Sequence, residues 1–506
     1  ISSSPSSSSR PVRGVNSSEE SKKRTRNAKR ILKDIMYPHN IHPALVPGVS
    51  IEDQKVKYGV DKPILVAVGG LVMAFVIWGV VAPEQVFDAS SAALDWVMRN
   101  LGWIFTALAT FLMFLLLILA FSKYGKIPLG LDGEKPEFST VSWAAMLFGA
   151  GIGIGIIFFG PFEPLSYYLS PRPGAYEAAS DEAVLGAMAQ AAMHWGFNAW
   201  AIYAIVGLCV AYVSFRRGRV PLMSSILMPL FGNRSTDSPP ARIIDGLAII
   251  ATLFGTAATL GIGALQIGRG VELVSGWSTT GNAAALVIIV VLSIGTIFSA
   301  VSGVAKGIRW LSNINLVLAM ALALFFFVVG PTAFLANMLP AVVIEYLDEM
   351  PQMLSANMGQ GEDMVAFLSS WTTFYWAWWV SWSPFVGVFV AKISRGRTIR
   401  QFVLGVLLVP LGFTFLWMTV YGNTALHLVI VQGVAGLADA VAADTSVALF
   451  RFLEEFPLSS LTSALAVLLV VIFFVTSADS GSLVIDTIAA GGDENRAAPA
   501  PPPPPA

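Results

Sequence analysis

Two groups of aromatic residues have the types and spacing for a specific chemistry. Trp371, Trp376, Trp378, Trp379 and Trp382 fall within SWTTFYWAWWVSWSPF, and Trp195, Trp200 and Tyr203 sit close together in HWGFNAWAIYA. On a helix Trp378 and Trp382 are spaced i, i+4, and Trp379, Trp382 and Phe385 continue at i+3, so a stack of rings can face one cavity. Rings so placed attract a quaternary ammonium by cation–π contact, on the order of 2 kcal/mol per desolvated face. The competing readings are that the rings only pack against neighbouring helices, or, for Trp371, that the ring marks a membrane headgroup belt.

A second feature is the alternation Gly149, Gly151, Gly153 and Gly155 in FGAGIGIGIIFFGP. Glycine weakens a helix, and bared carbonyls are tolerated at membrane depth only where they line a cavity or bind something. The i, i+2, i+4 spacing follows no helical face, which favours a broken helix over a close-packing surface. Hydroxyls form a third set: Thr252, Thr256 and Thr259 in ATLFGTAATLGIG, and Thr476, Ser477 and Ser480 in FFVTSADS. Hydroxyl and carbonyl oxygens suit a weakly held sodium ion, although any one such hydroxyl more often bonds its own i−4 carbonyl. Carboxylates inside the apolar stretches are few. Asp479 lies at depth and is a functional candidate; Glu163 is expected to be a helix-end residue meeting external water.

These residues are embedded in a chain of 506 residues that is 55% hydrophobic, 12% charged and of net charge −1, with a mean hydropathy of +0.69. That is more apolar surface than a soluble core of this length can bury, so the bilayer is the expected solvent. The single cysteine, Cys209, rules out a disulfide framework. The four histidines, His39, His42, His194 and His427, are scattered, and no HExxH, P-loop or GxSxG pattern places a catalytic group. An enzyme is therefore disfavoured, and nothing suggests nucleic acid as a partner.

Positioning falls to ten expected spans. They are Pro63–Ala82, Leu101–Phe121, Ser142–Phe162, Trp195–Val213, Ile243–Leu273, Ala283–Val301, Ile314–Leu335, Phe367–Val390, Phe402–Val420 and Leu461–Ile488. Residues 1–62 are Ser-rich and then basic, with SKKRTRNAKR and no apolar signal-peptide core, and read as a disordered tail that anchors by its positive charge or touches anionic lipid. Loops after even-numbered spans hold fourteen Lys and Arg, from Lys123 to Arg400, against four on the odd-numbered side: Arg99, Arg172 and Arg451 in the loops and Arg269 near the end of the fifth span. The positive-inside rule then puts the N-terminus in the cytoplasm. Glu345–Asp363 carries five carboxylates and no Lys or Arg, and reads as an amphipathic segment on the outer surface. Residues 489–506 are Pro-rich and read as unstructured.

At these residues the sequence resembles the betaine/choline/carnitine transporter family, and especially its sodium-coupled glycine betaine members. The signature FYWAWWxSWSPFVGxFxAxISRGRxIRxF at Phe374–Phe402 carries most of the likeness, with SGVAKGIRWLSN at Ser302–Asn313 and TSADS at Thr476–Ser480. The resemblance implies an all-α integral membrane protein, a polytopic helical bundle with two inverted five-helix repeats, usually trimeric, in the plasma or inner membrane. Its divisions would be two peripheral spans at 63–121, a first repeat at 142–335, an external segment at 336–366 and a second repeat at 367–488 that lacks its last two spans. The family's aromatic box would fall on Trp195, Trp200, Tyr203, Trp378, Trp379 and Trp382, with Ile152 and Thr259 beside the substrate; relatives carry methionine and serine at those two positions. One sodium site would use the backbone around Gly149, Ala150 and Ile152 with Phe473, Thr476 and Ser477. A second would use Thr252 and Thr256 with Phe385. Proton-coupled choline carriers of the family have aspartate where this chain has Gly155, which favours sodium. The implied function is sodium symport of glycine betaine or a similar osmolyte by alternating access. The alternatives are a carrier of choline, carnitine, ectoine or proline, and a truncated remnant or sensor that does not transport.

Overall fold

A computed structural model describes residues 59–492 except 152, 232–235, 279–281, 303–306, 435 and 440–447. The basic segment at 1–58 and the Pro-rich segment at 493–506 thus lie outside the described residues, as does Ile152. Regular structure in the described residues is helical, apart from one isolated bridge between Pro128 and Thr398. The chain begins with α1 (Lys62–Val81), capped by the Asp61 carboxylate, which accepts from the Ile64 amide at 3.2 Å. It continues through α2 (Pro83–Phe121), α3 (Thr140–Gly151), α4 (Gly153–Leu169), α5 (Asp181–Trp195), α6 (Phe197–Phe215), α7 (Met223–Phe231), α8 (Pro239–Ser275), α9 (Asn282–Ser302) and α10 (Gly307–Val329). Then follow α11 (Thr332–Ser355), α12 (Glu362–Ser370), α13 (Thr372–Ile393), α14 (Ile399–Trp417), α15 (Asn423–Ile430), α16 (Ala448–Glu454) and α17 (Ser459–Ala489).

Among the described residues eight helical stretches are long and apolar enough to cross a bilayer. Helix α13 is not one of them, although it has 22 residues, because Trp, Tyr and Ser replace aliphatic residues along it. The outer helices turn aliphatic side chains outward: α1 exposes Leu65, Val66, Leu71 and Ile77. Such a continuous apolar face is stable in lipid and not in water. Inside, α6 packs along α13, where a Cβ on Gly387 would meet the Val206 side chain at 2.5 Å and the Gly207 amide at 3.1 Å. This close approach of two backbones holds the two aromatic-rich helices together.

Several expected boundaries are corrected. Helix α2 starts at Pro83 rather than Leu101, because Asp88, Asp95 and Arg99 are carried on exposed turns that hydropathy treats as a break. The span expected at Trp195–Val213 is α6, Phe197–Phe215; Trp195 itself closes a preceding helix, α5, and the chain turns at Gly196. Ala-rich α5 is almost wholly buried, and it escapes a hydropathy reading because its neighbours are protein rather than lipid. The span beginning at Phe367 divides at Trp371 into α12 and α13. The helix expected to end at Leu335 ends at Val329, so a domain division after 335 would cut α11. Helix α14 continues past Val420 through a π-helical turn at Met418–Gly422 into α15.

Basic connections gather at one end of the bundle. The 127–129 and 395–399 strands of loop exchange backbone bonds, Leu129 N to Arg397 O at 2.7 Å and Ile399 N to Ile127 O at 2.9 Å. Around them Arg395 pairs with Glu134 at 2.9 Å, Arg216 with Asp132 at 2.8 Å, and the Arg397 guanidinium lies 3.9 Å from the Trp143 ring centre.

Candidate functional site

The glycine run leaves helical geometry at Gly153, whose φ is +45°; α3 is described as far as Gly151 and α4 from Gly153. Pro161 and Pro164 within α4 remove two further backbone donors. The carbonyls left without those donors are those of Ile157 and Gly160, and one residue before them the Trp417 indole donates to the Ile156 carbonyl at 3.1 Å.

Around the break the aromatic residues of α5, α6 and α13 form one connected set of rings. Trp379 lies at its middle, with ring centres 5.6 Å from Trp195, 6.0 Å from Trp200 and 4.8 Å from Tyr203. Trp200 and Tyr203 meet edge to face at 5.6 Å. Trp378 joins from the next position, 6.2 Å from Trp195 and 6.3 Å from Trp382, and Trp382 continues to Phe385 at 5.6 Å. The six residues of the expected box are therefore contiguous, reached from two sides: Trp379 against α6, and Trp382 against α8, where a Cβ on Gly255 would meet its indole at 2.5 Å. Trp195 is tied to the broken helix, because a Cβ on Gly155 would come within 2.6 Å of its ring. Phe159 of α4 covers the same side, 5.8 Å from Trp195 and 6.1 Å from Trp378.

The hydroxyl and backbone candidates divide into two places. At the helix break, a Cβ on Gly153 would meet the Ser477 hydroxyl at 3.4 Å and the Phe473 ring at 3.9 Å, so α17 presents both residues to the break. Thr476, one residue earlier, donates to its own helix at Ile472 O (3.0 Å) and Phe473 O (3.2 Å), which leaves its oxygen lone pairs free to accept or ligate. Gly149 faces Ser312 of α10 instead, at 3.0 Å from a Cβ placed there. The Ala150 side chain and Ile152 lie outside what is described. The second place is on α8. Thr252 donates to Ala248 O at 2.8 Å, while Thr256 and Thr259 are buried with no partner for their hydroxyls among the described residues, and Thr256 lies against Gly481 of α17. Phe385 reaches this region through Trp382. Asp479, also on α17, accepts from the Ser299 hydroxyl of α9 at 2.6 Å.

One expectation is overturned. Glu163 does not meet external water; it is completely buried. Tyr167 Oη donates to its Oε1 at 2.8 Å, Tyr375 Oη and Trp195 Nε1 donate to its Oε2 at 2.8 and 2.7 Å, and His194 Nδ1 stands 2.8 Å from Oε1. His194 Nε2 is 2.9 Å from Thr372 Oγ1 and 3.2 Å from Gln190 Nε2; the Gln190 Oε1 accepts from Arg172 at 3.3 Å, and Arg172 pairs with Glu349 of α11 at 2.9 Å. Sequence reading missed this network because its members come from α4, α5, α11, α13 and a loop, with no common period. The available signals were an acid surrounded by apolar residues and prolines, and Gln190 four residues before His194 on one helix face.

The apolar exterior and the helices wrapped around a buried ring cluster define an all-α polytopic membrane protein. The family model described as "BCCT, betaine/carnitine/choline family transporter" matches residues 63–500, and the chain belongs to that family, whose members are membrane transporters and not enzymes. It is similar to the betaine/ectoine transporter LcoP of Corynebacterium glutamicum, 49% identical over 387 residues that make up 76% of this chain and 61% of LcoP. It is also similar to the glycine betaine transporter OpuD of Bacillus subtilis, 41% identical over 78% of this chain and 76% of OpuD. To the high-affinity choline transport protein of Escherichia coli it is 40% identical over 74% of this chain, spanning 54% of that protein.

Proposed function

We propose that this chain is a secondary transporter that moves glycine betaine, or a closely similar quaternary-ammonium zwitterion, together with sodium by alternating access, from a cell membrane with its basic N-terminal side in the cytoplasm. The observation that carries the substrate class is the ring cluster. Trp195, Trp200 and Tyr203 of two helices converge on Trp379 of a third, all four buried. Faces of this kind suit a cation too large and too weakly hydrated for hydrogen bonds. Substrate names carried by LcoP, OpuD and the choline protein all denote small cationic or zwitterionic osmolytes or their relatives, which supports the same reading.

Sodium coupling is supported by the donor chemistry: hydroxyls of Thr476, Ser477, Thr252 and Thr256, ring faces of Phe473 and Phe385, and backbone carbonyls near Gly149 and Gly153 in place of a carboxylate cluster. Neutral oxygens hold a monovalent ion loosely enough for release. Inverted repeats, a homotrimer and contact of the basic tail with anionic lipid are parts of the same proposal. The test is uptake of labelled glycine betaine into liposomes holding the purified chain, with and without an inward sodium gradient. Accumulation that requires the gradient is expected; uptake indifferent to sodium would remove the coupling, and absence of uptake would remove transport by this chain. Replacing Ser477 and Thr476 by Ala is expected to raise the sodium concentration for half-maximal uptake at least about tenfold, the loss of roughly one ligand oxygen bond or more.

A further inference from the structure

The four box indoles that are buried differ in one respect. The N–H groups of Trp200, Trp379 and Trp382 have no protein partner among the described residues, whereas that of Trp195 donates to Glu163 at 2.7 Å. The partners of Glu163 also have a fixed polarity. Arg172 can only donate, so Gln190 turns its carbonyl oxygen to Arg172 and its amide nitrogen to His194. His194 Nε2 then accepts, which puts the ring proton on Nδ1, between Glu163 Oε1 at 2.8 Å and Tyr167 Oη at 2.7 Å. Glu163 is thus met by Trp195 and His194, which can only donate to it, and by the hydroxyls of Tyr167 and Tyr375, a donor-rich surround of the kind that stabilises negative charge on a carboxyl.

We propose that Glu163 is the positioning and charge-selecting residue of the aromatic box: it fixes the Trp195 ring and, through the indole N–H, makes that ring face more negative, so that the box prefers a cationic head over a neutral one of the same shape. This rests on the reading of the box as a quaternary-ammonium site. An N–H bonded to an anion polarises the indole toward its ring, and in a water-poor interior this polarisation and the buried charge both act on a cation at the ring face. The ring cannot shift to escape the charge, since Gly155 contacts its far edge and Phe159 and Trp379 flank it. The hydrogen-bonded chain from Glu349 through Arg172, Gln190 and His194 to Glu163 adds a mechanical link between α11 and the box.

The test compares glycine betaine with 3,3-dimethylbutanoate, which has the same outline with carbon in place of nitrogen and no positive charge. Affinities of both for the purified full chain are read from quenching of Trp fluorescence and from competition against labelled betaine. Glu163→Gln is expected to weaken betaine by about tenfold while changing 3,3-dimethylbutanoate less than about twofold. Glu163→Asp keeps the charge and is expected to keep the ratio of the two affinities. Trp195→Phe is expected to collapse the ratio more than Trp379→Phe, which makes the same chemical change at an indole without a carboxylate, and this pair decides the matter should Glu163→Gln not fold. Equal losses for both ligands, or a ratio unchanged in Glu163→Gln and in Trp195→Phe, would overturn the proposal and leave the box reading intact. No saturable betaine binding by the unaltered chain would overturn the box reading and this proposal with it.

Discussion

Helices α1 and α6 are nearly equal in length, 20 and 19 residues, and both cross the bundle. Helix α1 buries two residues, Ile64 and Val68; α6 buries twelve, among them Asn198, Trp200 and Tyr203. For α1 the solvent is lipid, so any aliphatic side chain serves and the sequence is free to vary within that class. For α6 the solvent is other helices and whatever enters between them, so shape, ring direction and hydrogen-bonding capacity are all specified. Apolar character therefore reports contact with lipid, and its partial loss, as in α6 and more so in α13, reports the working interior.

Substitutions of equal size in the two regions should then differ in effect by orders of magnitude. The largest is expected at Gly155→Val. A Cβ there already lies 2.6 Å from Trp195, whose ring is held on its other edge by Glu163, so neither partner can yield cheaply. Betaine binding should fall at least about a hundredfold, as overpacking of about 1–3 kcal/mol adds to a displaced ring face. Retained affinity in fluorescence titration would show that Trp195 is freer than its contacts suggest. A smaller and cleaner contrast uses one residue type twice. Trp379→Ala removes the ring at the centre of the cluster and should cost about thirtyfold in betaine affinity, the equivalent of about 2 kcal/mol for one desolvated cation–π face. Trp78→Ala, on the exposed side of α1, should change it by less than about twofold. Similar losses at both sites would erase the distinction between lipid-facing and substrate-facing tryptophans.

Much of the working interior was legible in the sequence because its residues are chemically out of place. Tryptophans at depth, alternating glycines and hydroxyls inside apolar runs each contradict what lipid contact alone would select. Segments whose departures have other causes were not legible. The first five turns of α2 carry Asp88, Asp95 and Arg99 without leaving the helix, and α5 replaces leucine with alanine because close-packed protein surrounds it. Glu163 was misplaced for a different reason. Two prolines and a following polar stretch mark a helix end, whereas its burial depends on Tyr167, His194, Trp195 and Tyr375 closing over it, and a tertiary enclosure leaves no periodic trace.

The amphipathic helix α11 stands between the two regions, apolar toward the core through Leu335, Val342 and Tyr346 and acidic on its other side. Its Glu349 is satisfied by Arg172, but Glu345 has no ion-pair partner among the described residues and sits beside its neighbours' negative charge. Partial burial, then Glu349 and Asp348, and finally Glu182, push the Glu345 carboxyl above its usual range. A carboxyl raised in the folded protein binds its proton more tightly than in the unfolded chain, so its ionisation opposes folding at neutral pH, and that penalty fades as pH falls through the raised value. Glu345→Gln should therefore raise the thermal midpoint of the detergent-solubilised protein by a degree or two at pH 7 and by less at pH 5, with transport unchanged. A stabilisation that grows on acidification would instead mean that Glu345 is held by a favourable partner, and that the outer face of α11 is organised by more than the Arg172–Glu349 pair.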